Sequence, residues 1–161
     1  MAKKIISSNS RFRDIIKKIT LKFYDNKYPD KKIIILGCMR SGTTLLSSVF
    51  DKIPYVKVFG EFSVLSDKCE KKIRLNGFSD VKEKLIKEKF PLIVMKPLVE
   101  SQNAIDLLDN IPNSYIIWLY RDYKDVISSN NKKFGAQSGI ENIRPIISHD
   151  QLNWRSENVS A

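Results

Sequence analysis

The sequence predicts an α/β fold, three layers deep, in which a short parallel sheet is flanked by helices. Three observations predict it. Short segments that are apolar throughout, such as residues 33 to 36 (IIIL), recur along the chain; segments of helical periodicity separate them; and a glycine-rich turn joins the first such strand to a helix. A strand with no polar face has to be covered on both sides, which is the condition of a parallel sheet between helix layers.

The elements follow in order. Residues 11 to 24 carry Phe12, Ile15, Ile16, Ile19 and Phe23 at helical spacing among lysines and arginines, an amphipathic helix expected to pack on the body of the protein. Asn26, Pro29 and Asp30 break it, so residues 1 to 30 read as an N-terminal helix and linker. Residues 32 to 36 are the first strand, and residues 43 to 51 follow the glycine turn with Leu45, Leu46, Val49 and Phe50 as a helix face. After Pro54, residues 55 to 59 (YVKVF) alternate as a second strand that Gly60 and Glu61 end. Residues 79 to 90 form a helix, with Ser79 and Asp80 as start signals and Pro91 as the stop. The run PLIVMK is a third strand closing at Lys96 before Pro97, and residues 101 to 109 are helical. Pro112 and Asn113 turn the chain into residues 115 to 120 (YIIWLY), the fourth and most apolar strand, and residues 122 to 132 return to helix.

Composition removes several function classes. The chain of 161 residues has a net charge of +10, but its lysines alternate with acids, as in residues 80 to 90 (DVKEKLIKEKF). That is the pattern of solvated helix faces, and no aromatic and basic interleaving accompanies it, so nucleic acid is not the expected partner. No apolar run approaches the roughly 18 residues of a membrane span. The opening MAKKIISSNSRFRD lacks the apolar core of a signal peptide. A soluble, cytoplasmic protein is expected. Cys38 and Cys69 are too few for a disulfide framework and lack metal-ligand spacing, and Cys38 reads as a small filler of its loop. His149 reads as a surface residue, and Trp154 with Leu152 as packing a helix onto the body.

The chemistry concentrates after the strands, where ligands of open parallel sheets collect. Residues 37 to 44 (GCMRSGTT) keep the glycine spacing of the Walker pattern in Gly37 and Gly42 and its hydroxyl in Thr44, a P-loop-like arrangement. Thr43 stands where the Walker lysine would be, and Arg40 comes earlier. Such a loop offers backbone N–H groups and the positive end of a helix dipole to an anion. Glu61, Lys96 and Arg121 follow the other strands, and no Walker B aspartate is visible among them.

Residues 34 to 61 (IILGCMRSGTTLLSSVFDKIPYVKVFGE) resemble the 5′-phosphosulfate loop and catalytic carboxylate of sulfotransferases that use 3′-phosphoadenosine 5′-phosphosulfate (PAPS). The likeness is to the R-S-G-T-T branch, which includes carbohydrate and protein-tyrosine sulfotransferases. Residues 115 to 130 (YIIWLYRDYKDVISSN) resemble the same family's 3′-phosphate segment, R-D-x-R-x-x-x-x-S, with Tyr123 and Lys124 departing from its commoner residues.

The resemblance implies a single nucleotide-binding domain over residues 1 to 161 that lacks the family's C-terminal part. It implies PAPS as donor, 3′,5′-adenosine bisphosphate (PAP) as product, no metal, and a hydroxyl acceptor with glycans among the candidates. Ser41, Gly42, Thr43 and Thr44 would hold the 5′-phosphate, and Arg40 the leaving-phosphate oxygen. Arg121 and Ser129, eight positions apart, would hold the 3′-phosphate, with Ser128 as Ser129's competitor. Glu61 would be the general base and Lys96 would lie near the sulfuryl group. Plainer readings stand beside two of these: Glu61 as a carboxylate at a helix start, and Lys96 as an ordinary exposed lysine. A divergent P-loop kinase and a nucleotide-binding domain without activity are the alternative functions, and the sequence leaves the oligomeric state open.

Overall fold

The computed structural model describes residues 15–17, 19–22, 31–66, 74–97, 99–135 and 137. Within them lie strands β1 (Lys31–Gly37), β2 (Val56–Phe59), β3 (Leu92–Met95) and β4 (Ser114–Leu119), and helices α1 (Thr43–Asp51), α2 (Phe78–Ile86), α3 (Ala104–Asn110) and α4 (Tyr123–Phe134). A 3-10 turn, Ser101–Asn103, leads into α3. The chain divides into two compact units: Met1–Leu119 holds the whole sheet, and Tyr120–Ala161 holds α4. Among the described residues no helix is long and apolar enough to cross a membrane.

All strand pairs are parallel, in the order β2-β3-β1-β4. The α/β three-layer fold expected from the apolar strands is therefore present. β1 occupies the interior of the sheet, and its alternating side chains feed two cores. Ile34 and Leu36 join Ile93, Met95, Val81, Leu85 and Leu107 on one face, beneath α2 and α3. Ile35 joins Val56 and Val94 on the other, where Leu46 and Phe50 of α1 close the layer. Four consecutive apolar residues are what a strand needs when helices cover both of its faces.

Several boundaries and faces differ from the sequence expectation. α2 ends at Ile86, well before Pro91, and starts after Gly77 with no side-chain cap in place of the Ser79 and Asp80 signals. Phe90 explains the early end, because it is 8% exposed and belongs to the core. A continued helix would swing it well away from the Val81 and Leu85 stripe, so the chain leaves the helix to bury it. Of the apolar face expected on α1, Leu46 and Phe50 pack inward, while Leu45 and Val49 are exposed. β4, the most apolar strand by sequence, is an edge strand whose Tyr115 and Trp118 are exposed.

The N-terminal segment differs most. Residues 15–17 and 19–22 are helical, but Ile15, Ile16 and Ile19 are exposed and Lys17 is the buried residue. Its ammonium bonds Asp51 Oδ1 at 2.7 Å and the Val56 carbonyl at 3.0 Å, tying this helix to the end of α1 and the start of β2. Leu21, one turn on, packs against the core. Phe12, Phe23, Asn26, Pro29, Asp30, Cys69, His149, Leu152 and Trp154 lie outside the described residues.

The core assignment is tested by truncation. Ile93→Ala, at a fully buried central-strand position, is expected to lower the unfolding free energy by about 2–5 kcal/mol in urea denaturation. Ile86→Ala, at an exposed helix position, is expected to change it by less than about 0.5 kcal/mol.

Candidate functional site

β1 runs straight into the glycine loop, and the geometry there leaves little choice of residue. Gly37 has φ +149°, and a Cβ on it would lie 2.6 Å from the Leu119 carbonyl oxygen and 2.9 Å from Ser41 Oγ. β4 and the loop close on it from two sides, so only glycine fits. Arg40 (φ +69°) and Gly42 (φ +101°) both take left-handed conformations, which reverse the chain sharply enough to begin α1 at Thr43. Ser41 N–H donates to the Cys38 carbonyl at 3.2 Å across this turn.

The loop presents an unspent set of donors. Gly42 is the N-cap of α1 and supplies no side-chain cap. The N–H groups of the first turn have no intrahelical partner by helix geometry, and the helix dipole makes that end positive. Ser41 Oγ is buried with no hydrogen-bond partner, an atom that costs free energy unless something accepts from it. These features suit an anion seated on the loop. Arg40 is half-buried beside them, Thr43 half-buried, and Thr44 exposed at the helix start. Cys38, expected as a filler, is exposed.

Lys96 brings the other strand ends to this loop. β3 pairs with β1 and β2 so that Met95 lies opposite both Ile34 and Phe59. One residue on, Lys96 N–H still donates to the Phe59 carbonyl at 2.8 Å. Pro97 carries no N–H and cannot extend the ladder. The Lys96 side chain, 6% exposed, donates to Thr44 Oγ1 at 2.9 Å and pairs with Glu61 Oε1 at 2.5 Å. Three residues singled out from sequence, on three different segments, thus meet at one ammonium group.

The contacts decide both plain alternatives. Lys96 is not an ordinary exposed lysine, because it is buried and twice partnered. Glu61 does not cap a helix, because residues 62–66 form turns and its carboxylate faces Lys96. An ammonium can only donate, so the Thr44 oxygen accepts from Lys96 and keeps its own proton to give elsewhere.

Two neighbours escaped the sequence reading. Ser101, read only as the start of a helix, sits against the first loop glycine: its Oγ is 3.3 Å from Gly37 N and 3.5 Å from Gly37 O. Glu100 is buried and accepts from Leu75 N–H at 3.0 Å and from Asn103 Nδ2 at 2.7 Å. Both lie several residues beyond the β3 end, whereas inspection of strand ends stops at Lys96. No local sequence signal distinguishes them from loop residues.

Arg121 and Ser129 belong to the second unit and are described on it alone. Asp122 caps α4 by accepting from Lys124 N–H at 2.9 Å. Arg121 Nε lies 3.7 Å from Asp125 Oδ2, and Ser129 is half-buried one turn beyond Asp125. The comparisons with known proteins add no family: no protein-family profile matches the chain, and no curated protein or solved structure is significantly similar to it.

Two measurements test this geometry. Gly37→Ala is expected to cost about 2–4 kcal/mol in urea denaturation, because the added methyl meets a backbone carbonyl and the φ is strained. A double-mutant cycle of Glu61→Gln and Lys96→Met is expected to give a coupling of about 1–3 kcal/mol; additivity would show that the pair is not formed in solution.

Proposed function

We propose that this protein transfers the sulfuryl group of PAPS to a hydroxyl acceptor. The observation that carries the reading is the Lys96 ammonium held between Thr44 of the glycine loop and Glu61. An anion-binding loop, a cation and a carboxylate are what such a transfer needs within reach of one another. The orphaned Ser41 hydroxyl and the uncapped first turn of α1 fit the 5′-phosphate of the donor.

In this reading the acceptor oxygen attacks sulfur in line with the bridging oxygen of the donor. A new O–S bond forms while the bond from sulfur to the 5′-phosphate oxygen breaks, and its electron pair leaves on PAP. The acceptor proton passes to Glu61, a transfer that contributes roughly 10²–10⁴-fold when the base is positioned. Arg40 and Lys96 neutralise charge on the departing phosphate and on the sulfuryl oxygens, a role that is mostly positioning and electrostatics. Arg121 and Ser129, on the second unit, are the sequence's candidates for the 3′-phosphate, the feature that separates this donor from ATP. Glycans are among the candidate acceptors.

The kinase alternative is weaker on a specific observation. A P-loop kinase places Mg²⁺ on the loop hydroxyl equivalent to Thr44. Here that oxygen accepts from the Lys96 ammonium, whose positive charge opposes a cation at the same atom.

Thermal shift discriminates the readings. PAP without metal is expected to raise Tm by about 5 °C at a hundredfold excess over its Kd, and more than ATP with Mg²⁺. The reverse order would sink the proposal. Glu61→Gln is expected to abolish transfer of labelled sulfate to a panel of phenols, tyrosine peptides and glycans while PAP still binds. Tight PAP binding with no transfer by the unaltered protein to any acceptor would instead mark a nucleotide-binding domain without activity.

A further inference from the structure

The residue after Glu61 is unusual in two ways. Phe62 has φ +57°, a left-handed conformation that is a genuine outlier for a bulky side chain. It is also 57% exposed, so burial of the ring does not explain the conformation. An outlier of this kind persists only where the surrounding structure over-determines the backbone.

That structure is visible on both sides of Phe62. Before it, the Phe59 carbonyl accepts from Lys96 N–H at 2.8 Å and Glu61 is paired with the Lys96 ammonium. After it, Leu65 is fully buried in the core and its carbonyl accepts from Asn76 N–H at 2.8 Å. The Val64 carbonyl accepts from Lys84 Nζ at 2.6 Å and Asn76 Nδ2 at 3.2 Å. Ser66 bridges Leu75, whose N–H is held by the buried Glu100 at 3.0 Å. The short turn between these two clamps drives residue 62 left-handed and leaves its ring exposed, one residue along the chain from Glu61. Val64, 64% exposed, is the other apolar side chain the turn presents.

We infer that Phe62 is a specificity-determining residue for the acceptor, and that the acceptor offers it a flat apolar face next to the reacting hydroxyl. The inference rests on the sulfuryl-transfer reading and deepens it. An exposed aromatic ring one residue along the chain from the proposed base, on a backbone clamped at both ends, offers stacking area at little loss of side-chain freedom. A strained, exposed, apolar residue has no folding benefit to offset its conformation, whereas contact with an acceptor supplies a reason for it. The exposed side chains that follow Glu61 in this turn are Phe62 and Val64, and the half-buried Ser63 between them spends its hydroxyl oxygen on Leu65 N–H, so an aromatic hydroxyl is favoured over a polyhydroxylated sugar.

The test uses the full chain with Phe62→Gly and Phe62→Asn, residues that tolerate the left-handed region. Both variants are expected to keep the PAP affinity within twofold and to hold or raise Tm, by about 2–4 °C where the strain is fully relieved. With 2-naphthol as acceptor, KM is expected to rise about tenfold with kcat little changed, and the unaltered protein is expected to prefer 2-naphthol to N-acetylglucosamine. A Tm drop of more than about 2 °C in both variants, an unchanged KM, or a preference for the sugar overturns this inference while leaving the donor reading in place. Absence of PAP binding by the unaltered protein, or PAP binding without transfer to either acceptor, overturns the sulfuryl-transfer reading and this inference with it.

Discussion

Lys96 carries a charged side chain into the protein at the point where three strands end, and the site is built around satisfying it. An ammonium at 6% exposure would be costly to strand without partners. Thr44 and Glu61 supply them from segments that follow β1 and β2. The parallel register makes this possible, since Met95 of β3 lies opposite Ile34 on one side and Phe59 on the other. Residues one step beyond β3 therefore reach both loops at once. The position of a single lysine turns three independent strand ends into one constellation.

Most of the positive-φ positions among the described residues fall in the same region, Asn113 and Gly135 lying elsewhere. Gly37, Arg40, Gly42 and Phe62 all have positive φ, and all lie in the turns that leave β1 and β2. The first three reverse the chain so that α1 begins directly above a buried strand, and its uncapped N-terminus faces outward with the Ser41 hydroxyl unspent. Ser101 seals the loop from behind through Gly37, and the adjacent Glu100 holds the segment that braces residues 64 to 66. One dipeptide after β3 thus steadies both halves of the site. The two non-glycine positions of this region, Arg40 and Phe62, carry backbone strain, which fits a function that depends on a fixed placement of donors and acceptors.

Apolar content alone misjudged which residues face inward. YIIWLY is the richest apolar strand, yet it lies at the sheet edge with Tyr115 and Trp118 exposed. Ile15, Ile16 and Ile19 satisfy a helical apolar pattern yet are exposed, while among the described residues Lys17 is buried beside them, because Asp51 and the Val56 carbonyl offer it partners. A hydrophobicity pattern records what a segment could bury. Whether a covering element exists, and whether a buried charge finds a partner, is fixed by contacts distant in the chain.

The sequence by itself determined the class of fold and the order of its elements, and it singled out the glycine loop after β1. These follow from local properties: runs apolar on both faces, helical periodicity, and the spacing of Gly37 and Gly42 between a strand and a helix. It also marked Arg40, Glu61 and Lys96 as candidates, because charge placed just after an apolar strand is informative in a parallel sheet. Only the tertiary structure decided that Lys96 is buried between Thr44 and Glu61, that Glu100 and Ser101 brace the site, and that Phe62 is turned outward under strain. Those facts depend on strand register and on contacts between residues 25 to 64 positions apart. Such pairings arise when the sheet assembles, so no local stretch of sequence encodes them.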